Sequence, residues 1–341
     1  MPAFDHLKNS LPILSDHFGR RVSYLRISMT DRCNLRCVYC MPESSVPYEQ
    51  PGEILTLDEI MRLVNLLTAH GLTKVRLTGG EPLVRSKDVI ELIGRISKIK
   101  QISDLGLTTN AVLLAPLVHV LRDSGLERIN ISLDTLRRER FVKIARMDKF
   151  DDALAGLSAA EAVGFDPIKL NMVVMRGIND DEILDFARMT LSKDYQVRFL
   201  EYMPIGQVSH YEWRAKYVDI DEIMSIVCKV YSIEEQGTCA SSTSRVYKLK
   251  GGKGTIGVIS PISHKFCEGC NRLRLTANGS LVPCLSDNFE YDLKAPLRNG
   301  ETDAQILNHV KAALSSKPEQ SDFEGRAYRG GSLRIMAQIG G

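Results

Sequence analysis

No apolar run of about eighteen residues, the minimum for a membrane-spanning helix, occurs in the 341-residue chain. A membrane span is therefore not expected. The first twenty residues also lack an apolar core and carry Asp5, His6, Lys8, Asp16 and Arg20, so no secretory leader is expected. Charge of one sign is missing too. Lys and Arg number 44 against 42 Asp and Glu, a net charge of +2, whereas a nucleic-acid binder concentrates basic charge on one face. There is no short-period repeat and no low-complexity tract. These absences lead to an expectation of a cytoplasmic protein with no membrane or nucleic-acid partner. Its length suffices for one large α/β unit and a smaller appended one.

What the chain has is cysteine. Eight are present, and a reducing compartment argues against disulfides. Cys33, Cys37 and Cys40 form one group, and Cys267, Cys270 and Cys284 another, while Cys228 and Cys239 stand apart. Two separated triplets suggest two metal sites.

Between residues 22 and 203, β-rich runs alternate with helical patterns. Strands are expected at Val22–Met29, Lys74–Thr78, Leu105–Thr108, Arg128–Leu133, Ile168–Met175 and Gln196–Tyr202. Helices are expected at Leu57–Ala69, Ser86–Ser97, Pro116–Ser124, Phe150–Val163 and Asp181–Leu191. Such alternation indicates parallel βαβ units, here six, too few for a full eight-fold barrel. Along each strand one face is apolar and the other polar. Leu25, Ile27 and Met29 oppose Arg26 and Ser28; Val75 and Leu77 oppose Lys74, Arg76 and Thr78; Leu170 and Met172 oppose Lys169 and Asn171. Helices over the apolar face would leave the polar, often cationic face to line a cavity for an anion. An antiparallel sheet with one wet face is the alternative. Beyond residue 211 come a helix at Ile220–Val230, β-like runs at Arg245–Leu249, Thr255–Ile259, Arg272–Thr276 and Leu281–Cys284 around an Asn278-Gly279 turn, and a helix at Asp303–Leu314.

Cys33-x3-Cys37-x2-Cys40 directly follows the first strand. Thiolates suit iron–sulfur clusters or zinc, but structural zinc wants a fourth ligand that is not nearby. A four-iron cubane on three cysteines leaves one iron open. The spacing, with Tyr39 before the last cysteine, resembles the signature of radical-SAM enzymes, and Gly79-Gly80-Glu81-Pro82 after the second strand resembles that family's second motif. The resemblance implies S-adenosylmethionine on the open iron, with Tyr39, Gly79, Gly80, Glu81, Ser132 and Met203 contacting it. It also implies reductive cleavage to a 5'-deoxyadenosyl radical.

Cys267-x2-Cys270-x13-Cys284 again offers three thiols, with His264 a conceivable fourth ligand, so a zinc ribbon stays open on spacing alone. The segment Cys270-Asn271-Arg272-Leu273-Arg274 is similar to one characteristic of the GTP 3',8-cyclase family. That resemblance covers the chain from about Phe18 to the end. It implies a partial (β/α)6 TIM-like radical-SAM barrel over 18–210 and a smaller α+β C-terminal domain, 211–325, carrying a second [4Fe-4S] cluster. An extension (1–17) and a flexible tail (326–341) ending in Gly340-Gly341 flank them. It further implies a guanine contact at the second cluster, and triphosphate contacts at Arg26, Arg76, Thr108, Lys169, Arg198, Arg272 and Arg274. The reaction expected is abstraction of the 3' hydrogen of GTP and bonding of C3' to C8, at the opening of molybdenum-cofactor biosynthesis. Implied partners are an electron donor such as flavodoxin or ferredoxin, a downstream cyclic pyranopterin monophosphate synthase, and a second copy in a homodimer. The family's Thr-Thr-Asn-Gly reads Thr108-Thr109-Asn110-Ala111 here, which weakens the Thr108 assignment. A radical-SAM peptide maturase and a zinc-ribbon nucleic-acid-binding module are the competing readings.

Overall fold

Thr56 opens the first long helix, Leu57–Ala69, with a reciprocal cap: its hydroxyl accepts from Glu59 N (3.2 Å) and the Glu59 carboxylate accepts from Thr56 N (2.7 Å). Ile60, Leu63, Val64 and Leu67 then recur at helical spacing and are buried. The same apolar spacing, without a side-chain cap, recurs in Ser86–Ile96, Phe150–Val163 and Ile183–Ser192, which bury it in the core shared with the parallel sheet. These features come from a computed structural model, which describes residues 13–43, 47–206, 208–237, 243–329 and 334–340. Most of the expected 1–17 extension, Cys239 and Gly341 lie outside the described residues.

The first six strands are β1 (Tyr24–Ser28), β2 (Lys74–Thr78), β3 (Asp104–Thr109), β4 (Arg128–Ser132), β5 (Ile168–Val174) and β6 (Tyr195–Glu201). They pair in chain order, all parallel, which removes the antiparallel alternative. Six further strands follow: β7 (Ile233–Glu235), β8 (Arg245–Leu249), β9 (Thr255–Ile259), β10 (Arg272–Leu275), β11 (Ser280–Val282) and β12 (Tyr291–Asp292). The strands expected in a smaller C-terminal unit continue the barrel's own sheet on both sides. β9 runs parallel to β6, and β10 parallel to β1. The sheet order is β12-β11-β10-β1-β2-β3-β4-β5-β6-β9-β8-β7. Sequence periodicity could not show this, because which edge a strand joins is a long-range choice.

The alternation read from sequence holds through the sheet. Leu25, Ile27, Val75, Leu77, Leu105, Leu107, Ile129, Ile131, Leu170, Val197, Ile256, Val258, Leu273 and Leu275 are buried in one continuous core. The opposite face turns its polar side chains inward to a lumen. Among the described residues no helix is long and apolar enough to cross a membrane. The C-terminal tail, expected to be flexible over 326–341, contains in its described part the end of the short helix Phe323–Tyr328 and the whole of Met336–Ile339.

Candidate active site

The first triplet sits on the loop leaving β1. That loop is fastened from both sides: Arg36 N and Val38 N donate to the carbonyls of Ala145 and Ile144, and Gly80 N and Glu81 N donate to those of Thr30 and Arg32. Gly79, at φ +149°, can sit against the loop only because it has no side chain; a Cβ there would lie 2.6 Å from the Thr30 carbonyl oxygen. Leu35 N donates to Cys33 Sγ (3.4 Å), and Asn110 Nδ2 lies 3.7 Å from it. Burial pushes the Cys33 thiol up to about 11 and the Cys40 thiol up to about 12, and raises Cys37 well above its ordinary value. Neighbouring thiols and carboxylates add to the effect at Cys37 and Cys40.

Three desolvated thiols that repel one another's ionised forms are what a cationic cluster would reverse. Three thiolates fit an iron–sulfur cluster that keeps one iron open better than structural zinc, which takes four protein ligands.

Beside Cys37 a small cavity is lined by Tyr39, Asn110, Ser132 and Asp134, among others. Tyr39 donates to Asp134 Oδ2 (2.8 Å), and Asp134 Oδ1 accepts from Val173 N (2.9 Å). Burial raises Asp134 to about 6. Glu81 is buried and already occupied: Oε1 accepts from Leu83 N (3.0 Å) and Thr109 Oγ1 (2.8 Å), and Oε2 from Asn110 N (2.8 Å). In this arrangement it ties the turn after β3 to the cysteine loop. Burial lifts it to about 7. Met203 does not line the cavity but packs in a cluster with Ile205, Phe323, Ile339 and Met336.

The second triplet precedes and follows the β10–β11 hairpin, as expected from the Asn278-Gly279 turn. Arg272 Nη2 lies 3.2 Å from Cys270 Sγ, Ser321 N donates to Cys267 Sγ (3.3 Å), and Ser286 Oγ is 3.3 Å from Cys284 Sγ. Burial would raise the Cys270 thiol, but Arg272 and Lys317 outweigh it and bring it to about 6. Lys317 is buried and donates to the Cys270 (3.2 Å) and Arg272 (2.8 Å) carbonyls. His264 instead engages Asp221 (2.8 Å). Cys228 is exposed.

Between the triplets lies the cationic lumen. Register places Arg26 beside Arg274 on one side and Arg76 on the other. Farther round, Lys169 neighbours Asn130, and Asn171 neighbours Arg198. Two glycines that sequence reasoning passed over make room. A Cβ at Gly106 would lie 2.9 Å from the Arg76 guanidinium carbon, and one at Gly257 3.0 Å from Arg198 Cγ. Burial lowers Lys169 to about 7, aided by Arg198, Arg76, Arg128 and Lys74. Burial and neighbouring guanidiniums lower Arg198 and Arg274 to about 9, so both remain charged at neutral pH. Buried polar atoms lacking a hydrogen-bond partner line this face: Arg76 Nη1, Thr108 Oγ1, Asn130 Oδ1 and Asn171 Oδ1. The Arg76 N–H and the Thr108 hydroxyl are donors that, among crowded cations, suit an anion, while the two amide oxygens can only accept. The tail enters the same space. Arg274 Nη1 donates to the Gly340 carbonyl (3.0 Å), and the Ala337 N–H meets the Cys40 thiol. Sequence reasoning also missed Tyr24, Asn110, Asp134 and Lys317, whose roles depend on partners far along the chain.

Comparison with known proteins gives the family. The Radical SAM superfamily matches residues 27–190, and Molybdenum Cofactor Synthesis C matches 195–323. A GTP 3',8-cyclase of Heliobacterium modesticaldum is 44% identical over 328 residues, covering 96% of this chain and 99% of that protein. Those of Moorella thermoacetica and Listeria monocytogenes are 43% and 41% identical, over 96% and 97% of this chain and all of theirs. The chain belongs to the GTP 3',8-cyclase family. Among solved structures, Streptococcus suis SuiB bound to S-adenosylmethionine superposes with a TM-score of 0.60 at 16% identity, over 96% of this chain and 78% of that one. At that identity the likeness concerns the radical-SAM fold alone. Members of the GTP 3',8-cyclase family are radical-SAM enzymes, and the family's cofactors are S-adenosylmethionine and iron–sulfur clusters.

Proposed function

We infer that this chain is a GTP 3',8-cyclase acting in molybdenum-cofactor biosynthesis, a reading that rests on near full-length identity of 41–44% to enzymes of that name. Bound together, cluster and S-adenosylmethionine would supply hydrogen-atom abstraction at C3' of GTP; that carbon then bonds to C8, and uptake of one further electron and one proton by the radical adduct gives (8S)-3',8-cyclo-7,8-dihydroguanosine 5'-triphosphate. The protein's own side chains bind, orient and shield. Cys33, Cys37 and Cys40 would hold the first cluster and Cys267, Cys270 and Cys284 the second. Tyr39 and Ser132, which line the cavity beside Cys37, would contact S-adenosylmethionine, with Gly79 and Gly80 letting the backbone approach it and Glu81 and Met203 supporting its walls. Arg26, Arg76, Lys169, Arg198 and Arg274 would hold the triphosphate with charge-assisted hydrogen bonds, while Thr108 adds a hydroxyl. Arg272, beside Cys270, would face the guanine end. None of these guanidiniums serves as an acid or base, because they hold their protons at neutral pH.

The single observation that carries the site assignment is the convergence of five cations and unpartnered polar atoms in a lumen between two cysteine triplets. The reaction would draw its electron from a donor such as flavodoxin or ferredoxin and pass its product to a cyclic pyranopterin monophosphate synthase; a homodimer is compatible with this scheme. The test is anaerobic reconstitution with iron and sulfide, followed by S-adenosylmethionine, dithionite and GTP. About eight irons per chain with GTP-dependent formation of a cyclised triphosphate is the expected result. Two clusters and 5'-deoxyadenosine with unchanged GTP would overturn the substrate and favour a peptide maturase.

A further inference from the structure

Tyr24 brings a phenol oxygen in among the lumen cations. It accepts a hydrogen bond from Arg76 Nε (2.8 Å) and shares one with Arg26, so one oxygen bridges guanidiniums on two neighbouring strands. The groups around it come from five strands. Arg26 is on its own strand, and Lys74, with Nζ 5.3 Å from its ring centroid, is on β2 with Arg76. Arg198 on β6 and Arg274 on β10 respond to its charge, and Arg272 is its register partner. The nearby carboxylate of Asp104 on β3 is engaged by Lys74 and Arg128. Burial alone would push the phenol up; Arg76, Arg26 and Lys74 outweigh it and bring it down to about 8. Arg76 meanwhile keeps Nη1 buried and unpartnered. Its guanidinium is thus held at one edge and left open at another.

We propose that Tyr24 is a positioning residue that holds the Arg26 and Arg76 guanidiniums before substrate binds, yields them to the triphosphate, and takes up a proton as it does so. This rests on the reading of the lumen as a nucleoside-triphosphate site. The phosphate oxygens replace the phenol oxygen as partners of the two arginines. Negative charge then stands where the phenolate's counter-ions were, and the oxygen takes a proton from solvent. The bound complex therefore holds more protons than the free enzyme above about pH 8. GTP affinity falls there as pH rises, by up to about tenfold per unit. Lys169, free near 7, adds proton uptake of its own from a lower pH, so the wild-type profile alone does not isolate Tyr24.

The experiment is anaerobic calorimetric titration of the reconstituted holoenzyme and its Tyr24→Phe variant with GTP, in buffers of different ionisation enthalpy. At about pH 8.5 the variant should take up roughly 0.7 of a proton fewer than wild type, and at about pH 6.5 the two should agree. Equal proton counts at both pH values, with GTP bound by both proteins, would overturn the role of Tyr24. Failure of the wild type to bind GTP would instead overturn the triphosphate reading of the lumen. Should the variant lose its clusters, tyrosinate absorbance of the wild type across pH decides. GTP should move one phenol's titration upward, and an unmoved titration rejects the proposal.

Discussion

Arg274 joins three things at one side chain: the lumen, the β10 edge next to β1, and the carbonyl of Gly340. Its cost to the protein is desolvation beside Arg26 and Arg272, which lower it together with burial. A cation kept at such a place is worth most when an anion arrives. Arg274→Ala should therefore weaken GTP binding by about 1.5–3 kcal/mol, roughly ten- to hundredfold. Both clusters and uncoupled cleavage of S-adenosylmethionine should persist, since no cysteine loop hangs on this side chain. Equilibrium binding of GTP and iron analysis check this together; unchanged affinity would remove Arg274 from the site.

At the scale of elements, the turn after β3 holds an alanine in a backbone conformation that favours glycine. Ala111 has φ +64° and no exposed surface. A left-handed backbone costs an alanine about 1–2 kcal/mol. The turn persists because it is over-determined: Thr109 and Asn110 both bind Glu81, Asn110 Nδ2 reaches Asn34 (2.8 Å), and Gly156 leaves space for the Ala111 carbonyl. Ala111→Gly should thus stabilise the protein, by roughly 0.5–1 kcal/mol once the greater freedom of glycine in the unfolded chain is subtracted. The denaturant midpoint of the apoprotein checks this. The fixed turn also explains why Asn110 reaches Cys33: the signal lay in the Thr-Thr-Asn tripeptide, but its partner lies about 77 positions away.

At the scale of the molecule, the barrel is completed by the segment after residue 237. β9 and β10 cap the outer strands β6 and β1, and they bury Ile256, Val258, Leu273 and Leu275 in the same core. A chain ending at residue 237 would expose two parallel edge strands flanked by apolar surface, a template for association. Such a chain should be aggregated or unfolded, not a free-standing barrel. Size-exclusion chromatography with circular dichroism decides it, and a soluble folded monomer would show that the two parts fold independently.

Much was legible in the sequence by itself. Strand–helix alternation, the period-two division of each strand, and both cysteine triplets are local patterns, and local patterns follow from backbone geometry and ligand chemistry that a chain carries wherever it folds. Arg26, Arg76 and Lys169 could be assigned to a polar inner face on periodicity alone, and the structure turns that face inward. The joining of β9 and β10 to opposite sides of the sheet, the space left by Gly106 for Arg76, the clasp of Lys317 on the second cysteine loop, and the bridge of Tyr24 were decided only by tertiary structure. Each depends on residues distant in the chain being brought together, and the free energy that selects those meetings, burial of a shared core, has no signature in any single segment.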